Sequence, residues 1–135
     1  MITIDDINDA RSRFKGLVTT TPIIKSHSFS AMSGREVYLK AENMQRAGSF
    51  KLRGALNVMS RLKGQPVVAA SAGNHAQGVA LAAAFSGSPS TVFMPETAPI
   101  PKVKATEDYG ATVILAGDSL ADAVEAAQDY AKGES

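Results

Sequence analysis

The sequence of 135 residues contains no cysteine. That absence excludes disulfides, thiolate nucleophiles and cysteine-based metal sites, and it suits a reducing compartment. An excess of charge of one sign is also lacking: 14 basic and 13 acidic residues are scattered along the chain, for a net charge of +1. With no basic block and no aromatic-plus-arginine stretch, the electrostatic footprint of a nucleic-acid-binding protein is missing. The longest apolar run, around Gly78 to Phe85, is far too short to span a bilayer. The N-terminal Met1-Ile2-Thr3-Ile4-Asp5-Asp6 has no basic region followed by an apolar stretch, so it does not read as a signal peptide. A soluble, cytoplasmic globular chain with a real core is expected.

What is present is an alternation of helical and extended signals. Thr3 can cap a helix from about Ile4 to Lys15, with Ile4, Ile7, Ala10, Arg11 and Phe14 on one face. Thr19 to Pro22 reads as extended, a short helix follows from Ser26 to Ser33 with Gly34 as its stop, and Val37 to Ala41 reads as a strand. A helix is predicted from Phe50, capped by Ser49 and stopped by Gly64, with Leu52, Ala55, Leu56, Met59 and Leu62 on its buried side. Val67–Ala70 is a short apolar strand of the kind found inside parallel sheets, and His75–Phe85 is an alanine-rich helix that must pack closely. Thr91–Met94 is the next strand, Pro101 opens a helix that Gly110 ends, Thr112–Leu115 is a strand, and Asp118 or Ser119 caps a last helix to about Lys132. Strands alternating with helices after residue 36 predict an α/β fold with right-handed crossovers and an open, mainly parallel twisted sheet flanked by helices. At Gly133-Glu134-Ser135 the alternation calls for another strand.

Two segments carry chemistry. In Ala47-Gly48-Ser49-Phe50-Lys51-Leu52-Arg53-Gly54-Ala55, Lys51 falls in the first turn of its helix, where unpaired backbone N–H groups disfavour added positive charge. Amine nucleophiles and Schiff-base lysines are found in such settings when the side chain is also partly buried. Phe50 beside it offers an aromatic face to a planar ring. Taken alone, a helix-start lysine is more often a solvated surface residue. The second segment, Ser71-Ala72-Gly73-Asn74-His75-Ala76-Gln77-Gly78, follows an apolar strand and opens a helix, so its N–H groups converge on a point suited to a carboxylate or phosphate. It lies at the carboxyl end of a strand, where ligands bind in open α/β sheets. The competing reading is an ordinary strand-to-helix turn capped by Ser71 or Asn74, with a structural His75. Neither the dinucleotide fingerprint nor a phosphate-binding P-loop is present.

In this order, the two segments resemble those of fold-type-II enzymes dependent on pyridoxal 5′-phosphate (PLP), most closely the serine/threonine dehydratases (threonine ammonia-lyases). Lys40 to Ala55 looks like that family's cofactor-lysine signature and Ser71 to Gly78 like its substrate-carboxylate loop, and the similarity continues through Met94-Pro95 and Pro101-Lys102-Val103-Lys104. The resemblance implies that residues 1–45 belong to the family's large PLP domain and that 46–135 form its small α/β domain. It implies PLP as cofactor, held as a Schiff base on Lys51, with Phe50 flanking the ring and Asn74 bonding its phenolic oxygen. Ser71 and the amides of Ala72, Gly73, Asn74 and His75 would hold the substrate carboxylate. The reaction implied is β-elimination from L-threonine or L-serine to a 2-oxo acid and ammonia, in a homo-oligomer, dimer or tetramer, with a small-molecule substrate and no metal, nucleic acid or membrane partner.

Local departures refine this expectation. Serine racemases resemble the dehydratases but place a second serine where this chain has Ala72, which has no proton to give. The family's glycine-rich phosphate loop and the residue facing the pyridine nitrogen have no counterpart here, and the link from Lys63 to Val67 is short for the family. For the 135 residues taken alone, a non-catalytic fragment or binding domain is therefore the favoured reading. A small anion- or nucleotide-binding module built on the Ser71–His75 turn is the remaining alternative.

Overall fold

A computed structural model describes residues 1–133. The chain opens with α1 (Ile4–Arg13), where Thr3 and Asp6 form a capping box that satisfies two first-turn donors. Strand β1 (Ile23–Lys25), helix α2 (His27–Ser33) and strand β2 (Tyr38–Lys40) follow. Ser26 caps α2 by accepting from the Phe29 N–H, and Gly34 ends it in the left-handed conformation at φ 66°, where a side chain would be strained. A single 3-10 turn, Glu42–Met44, leads into α3 (Lys51–Leu62). Then come β3 (Val67–Ala70), α4 (Asn74–Ser86), β4 (Ser90–Met94), α5 (Ile100–Asp108), β5 (Thr112–Leu115) and α6 (Leu120–Gly133). Ser119 Oγ accepts from the Asp122 N–H at 3.3 Å while Asp122 Oδ2 accepts from the Ser119 N–H at 2.9 Å, so α6 also starts with a reciprocal cap.

The strands form two sheets. β3, β4 and β5 are parallel in the order β3-β4-β5. The strand near residues 37–41 does not join them, contrary to the single sheet expected from the sequence. β2 pairs antiparallel with β1, Ile24 opposite Leu39. The reason is topological: only the short α2 unit separates β1 from β2, and antiparallel neighbours need no long crossover.

Period-2 alternation divides the parallel sheet into two faces. Val92 and Met94, both fully buried, pack with Ala76 and Ala80 of α4 and with Val103 on α5. Phe93 faces the other way, against Ala123 and Ala127 of α6, with its ring 5.5 Å from that of Tyr130. α4 is thus sandwiched between the sheet and α3, whose Leu52, Ala55, Leu56 and Met59 meet Val79, Ala82 and Ala83. This packing explains the alanines: α4 has close neighbours on two sides and room for little more than methyl groups. Phe14 at the end of α1 joins the same cluster, although α1 itself buries no residue. Lys63, at φ 50°, takes the left-handed cap of α3 one residue before the expected Gly64. Gly64 follows at φ 83°, so the turn uses two consecutive left-handed residues. The strand anticipated beyond α6 lies outside the described residues. Among those residues, no helix is long and apolar enough to cross a membrane.

Candidate active site

The expected site residues come from the N-terminal ends of two adjacent helices. Lys51 is the first residue of α3, one later than expected; the N-cap is Phe50 and not Ser49, and it makes no side-chain cap bond, although the Lys51 N–H donates to Ser49 Oγ at 3.3 Å. Asn74 is the first residue of α4, after the Ser71–Gly73 turn that leaves β3. The two starts are held together at Gly78, one turn into α4: a Cβ there would stand 3.1 Å from the Lys51 carbonyl carbon and 3.2 Å from the Leu52 nitrogen. Absence of a side chain at residue 78 is what lets α4 approach the first turn of α3 this closely.

A cavity of about 660 Å³ opens at this junction, with Phe50, Lys51 and His75 around it and Val58, Met59, Val67 and Ala69 among its apolar walls. Lys51 Nζ lies 5.3 Å from the centre of the Phe50 ring, which is itself 60% exposed and so presents a free aromatic face. Lys51 is exposed as well. The partial burial that the sequence reading asked of this lysine is not supplied by the described residues.

In the turn, Ser71 Oγ accepts from the Gly73 N–H at 3.3 Å. That bond rigidifies the turn but engages one of the amides expected to hold a carboxylate. Ser71, Ala72 and Gly73 are half-buried, whereas Asn74 and His75 are exposed. Gly73 is the N-cap of α4 and provides no side-chain cap, so the first-turn N–H groups face outward with the helix dipole behind them. Asn74 Oδ1 accepts from Lys102 Nζ at 3.1 Å. This contact was not foreseen. Its signal was available, since Lys102, like Lys51, is a cation in the first turn of a helix.

The arrangement therefore places a primary amine, an aromatic ring and His75 around one apolar cleft, with the Ser71–Gly73 turn and the Asn74 amide at the adjoining start of α4. The family model for pyridoxal-phosphate dependent enzymes matches residues 14–135. The chain belongs to that family. It is 49% identical over 131 residues to the L-threonine ammonia-lyase of Thermotoga maritima, covering 94% of this chain and 33% of the relative. To the catabolic L-threonine dehydratase TdcB of Escherichia coli K12 it is 49% identical over 127 residues, covering 91% of this chain and 39% of the relative. The chain thus spans roughly a third to two-fifths of the length of these curated relatives. Among solved structures, maize serine racemase superimposes with a TM-score of 0.86 at 37% identity, over 96% of this chain and 41% of that one. The processed form of threonine deaminase isoform 2 from Solanum lycopersicum gives 0.79 at 32% identity, over 98% and 39%. The fold is that of the fold-type-II PLP enzymes, as expected from the sequence, with the two-stranded β1–β2 sheet beside the parallel one.

Proposed function

We propose that this chain supplies the lysine-bearing part of a PLP-dependent ammonia-lyase acting on L-threonine or L-serine. The observation that carries the reading is the junction at Gly78, which brings the Lys51 amine and the start of α4 to one cleft shared by Phe50 and His75. The residues fit the aldehyde and ring of PLP: an accessible amine for covalent attachment, the Phe50 face beside the ring, and the Asn74 amide as donor to the phenolic oxygen. Bound PLP supplies an electron sink for the pair left behind when a bond at the substrate's α-carbon breaks.

The chain's own residues do the rest. Lys51 would hold the cofactor covalently and, as a free amine, would take the proton from the substrate's α-carbon. Ser71 and the amides from Ala72 to His75 seat the carboxylate, which fixes the C–H bond relative to Lys51. The α-proton and the β-hydroxyl would leave together as water, and hydrolysis, which consumes one water, would yield ammonia and a 2-oxo acid. Ala72 supports elimination over racemisation, because reprotonation from the opposite face needs an acid that alanine lacks. The same reading assigns residues 1–45 to the large domain and 46–135 to the small one. The exposed Ile23, Ile24, Tyr38 and Leu39 of β1 and β2 support it, since they leave an apolar sheet to be covered. It also carries a homo-oligomeric assembly, dimer or tetramer.

Borohydride reduction of the PLP-loaded protein, followed by peptide mass spectrometry, tests the reading. The phosphopyridoxyl mass is expected on Lys51 and is lost in Lys51→Ala. Its recovery on another lysine overturns the assignment.

A further inference from the structure

Lys102 stands where helix stability gives it no reason to be. It lies in the first turn of α5, and its ammonium reaches the first residue of α4, so two helix N-termini face a cation. Its backbone is pinned from both sides: the Lys102 N–H donates to the Pro99 carbonyl at 2.8 Å, and Thr106 Oγ1, fully buried, donates to the Lys102 carbonyl at 2.8 Å. Val103, the next residue, packs into the core formed by Ala76 and Ala80 of α4. The lysine is therefore held at a set distance from α4, and its side chain closes the gap with a 3.1 Å bond to Asn74 Oδ1.

The chemistry of that bond decides which way the amide faces. An ammonium has three donors and no acceptor, so it can bind only the oxygen end of an asparagine side chain. The other end, with its two N–H donors, is then left for a ligand. Without the lysine, the amide can turn over and present its oxygen, which repels an anionic or phenolate oxygen instead of binding it.

We propose that Lys102 is a positioning residue: by occupying Asn74 Oδ1 it leaves the amide's NH2 group as the end that donates to an oxygen of a bound ligand. This rests on the reading that Asn74 donates to the phenolic oxygen of PLP. The ligand class recognised is an aromatic ring carrying an oxygen anion beside its aldehyde, and Lys102 sets the sign of the contact without touching the ring.

Two readouts test it in the intact protein. In ligand-free protein, the side-chain NH2 resonances of Asn74, identified by their loss in Asn74→Ala, shift in Lys102→Met and return toward their original position in Lys102→Arg. In PLP-loaded protein, Lys102→Met weakens PLP binding by about five- to tenfold, the value of one well-placed hydrogen bond, and moves the visible absorbance band. Lys102→Arg recovers most of both, and Lys102→Met adds nothing in the Asn74→Ala background. An equal effect of Lys102→Met with and without Asn74 overturns the proposal, as does an unchanged band and affinity in Lys102→Met. Borohydride trapping on Lys51 is scored in every variant. A Lys51 adduct alongside an inert Lys102→Met sinks this inference alone, whereas no Lys51 adduct in the unmutated protein sinks the functional reading beneath it.

Discussion

Arg53 of α3 grips Glu42, eleven residues earlier, with two parallel bonds: Nε to Oε2 and Nη2 to Oε1, both 2.8 Å. Thr21 Oγ1 adds a third bond to the same carboxylate. Paired guanidinium–carboxylate bonds of this kind are the strong class of charge-assisted hydrogen bond. This one ties the 3-10 turn and the segment before β1 to the helix that carries Lys51.

Its consequence is a dependence of stability on pH. The Arg53 hydrogen bonds, aided by Thr21 and by the charges of Arg53 and Lys40 and opposed by partial burial, bring the Glu42 carboxyl from an ordinary 4.5 down to about 2. A depressed carboxyl stabilises the fold fully above its unfolded value and loses that contribution as pH falls through its folded value. Thermal melts of the parent protein and Glu42→Gln should therefore differ by a constant margin above about pH 5. The margin should shrink below 4.5 and vanish near 2. A margin independent of pH would show that the carboxylate charge is not what matters.

Gly78→Ala sets two effects against each other. Alanine is the better helix former by about 1 kcal/mol. Its methyl group, however, meets the Lys51 backbone and Cβ at 3.1–3.2 Å, and two packed helices cannot easily separate. Overpacking of this sort costs about 1–3 kcal/mol, so net destabilisation of about 1 kcal/mol is expected in denaturant titrations. On the proposed function, the more telling result is a slower rate of PLP attachment at Lys51, because the helix start itself is displaced.

Leu52→Ala probes the neighbouring position. Leu52 is fully buried between α3 and α4, so truncation leaves a cavity and is expected to cost about 2–5 kcal/mol in equilibrium unfolding. Lys51→Ala, one residue earlier but exposed, should shift stability by no more than about 0.5 kcal/mol while abolishing covalent PLP attachment. This contrast separates scaffold from chemistry.

Ser71→Ala removes the acceptor of the Gly73 N–H and, on the proposed function, a donor to the substrate carboxylate. Amino-acid affinity, read from the spectral change on mixing with L-threonine or L-serine, should fall about tenfold. PLP should still be trapped on Lys51. Loss of trapping in this variant would mean that the turn serves the cofactor and not the substrate.

Much of this was legible in the sequence because it is local. The Thr3 cap, Gly34 past the end of α2 and the short apolar strands β3 and β5 each follow from a few adjacent residues and a backbone period. The helix starts near Lys51 and Asn74 were likewise legible in the residues around them. Tertiary structure alone decided what lay far apart along the chain. It paired β2 with β1 and kept it out of the parallel sheet, left Lys51 exposed, pressed Gly78 against the Lys51 backbone and brought Lys102 across 28 residues to Asn74. Caps and periods are written residue by residue, whereas strand partners, burial and an amide's orientation depend on which surfaces the packed elements bring together.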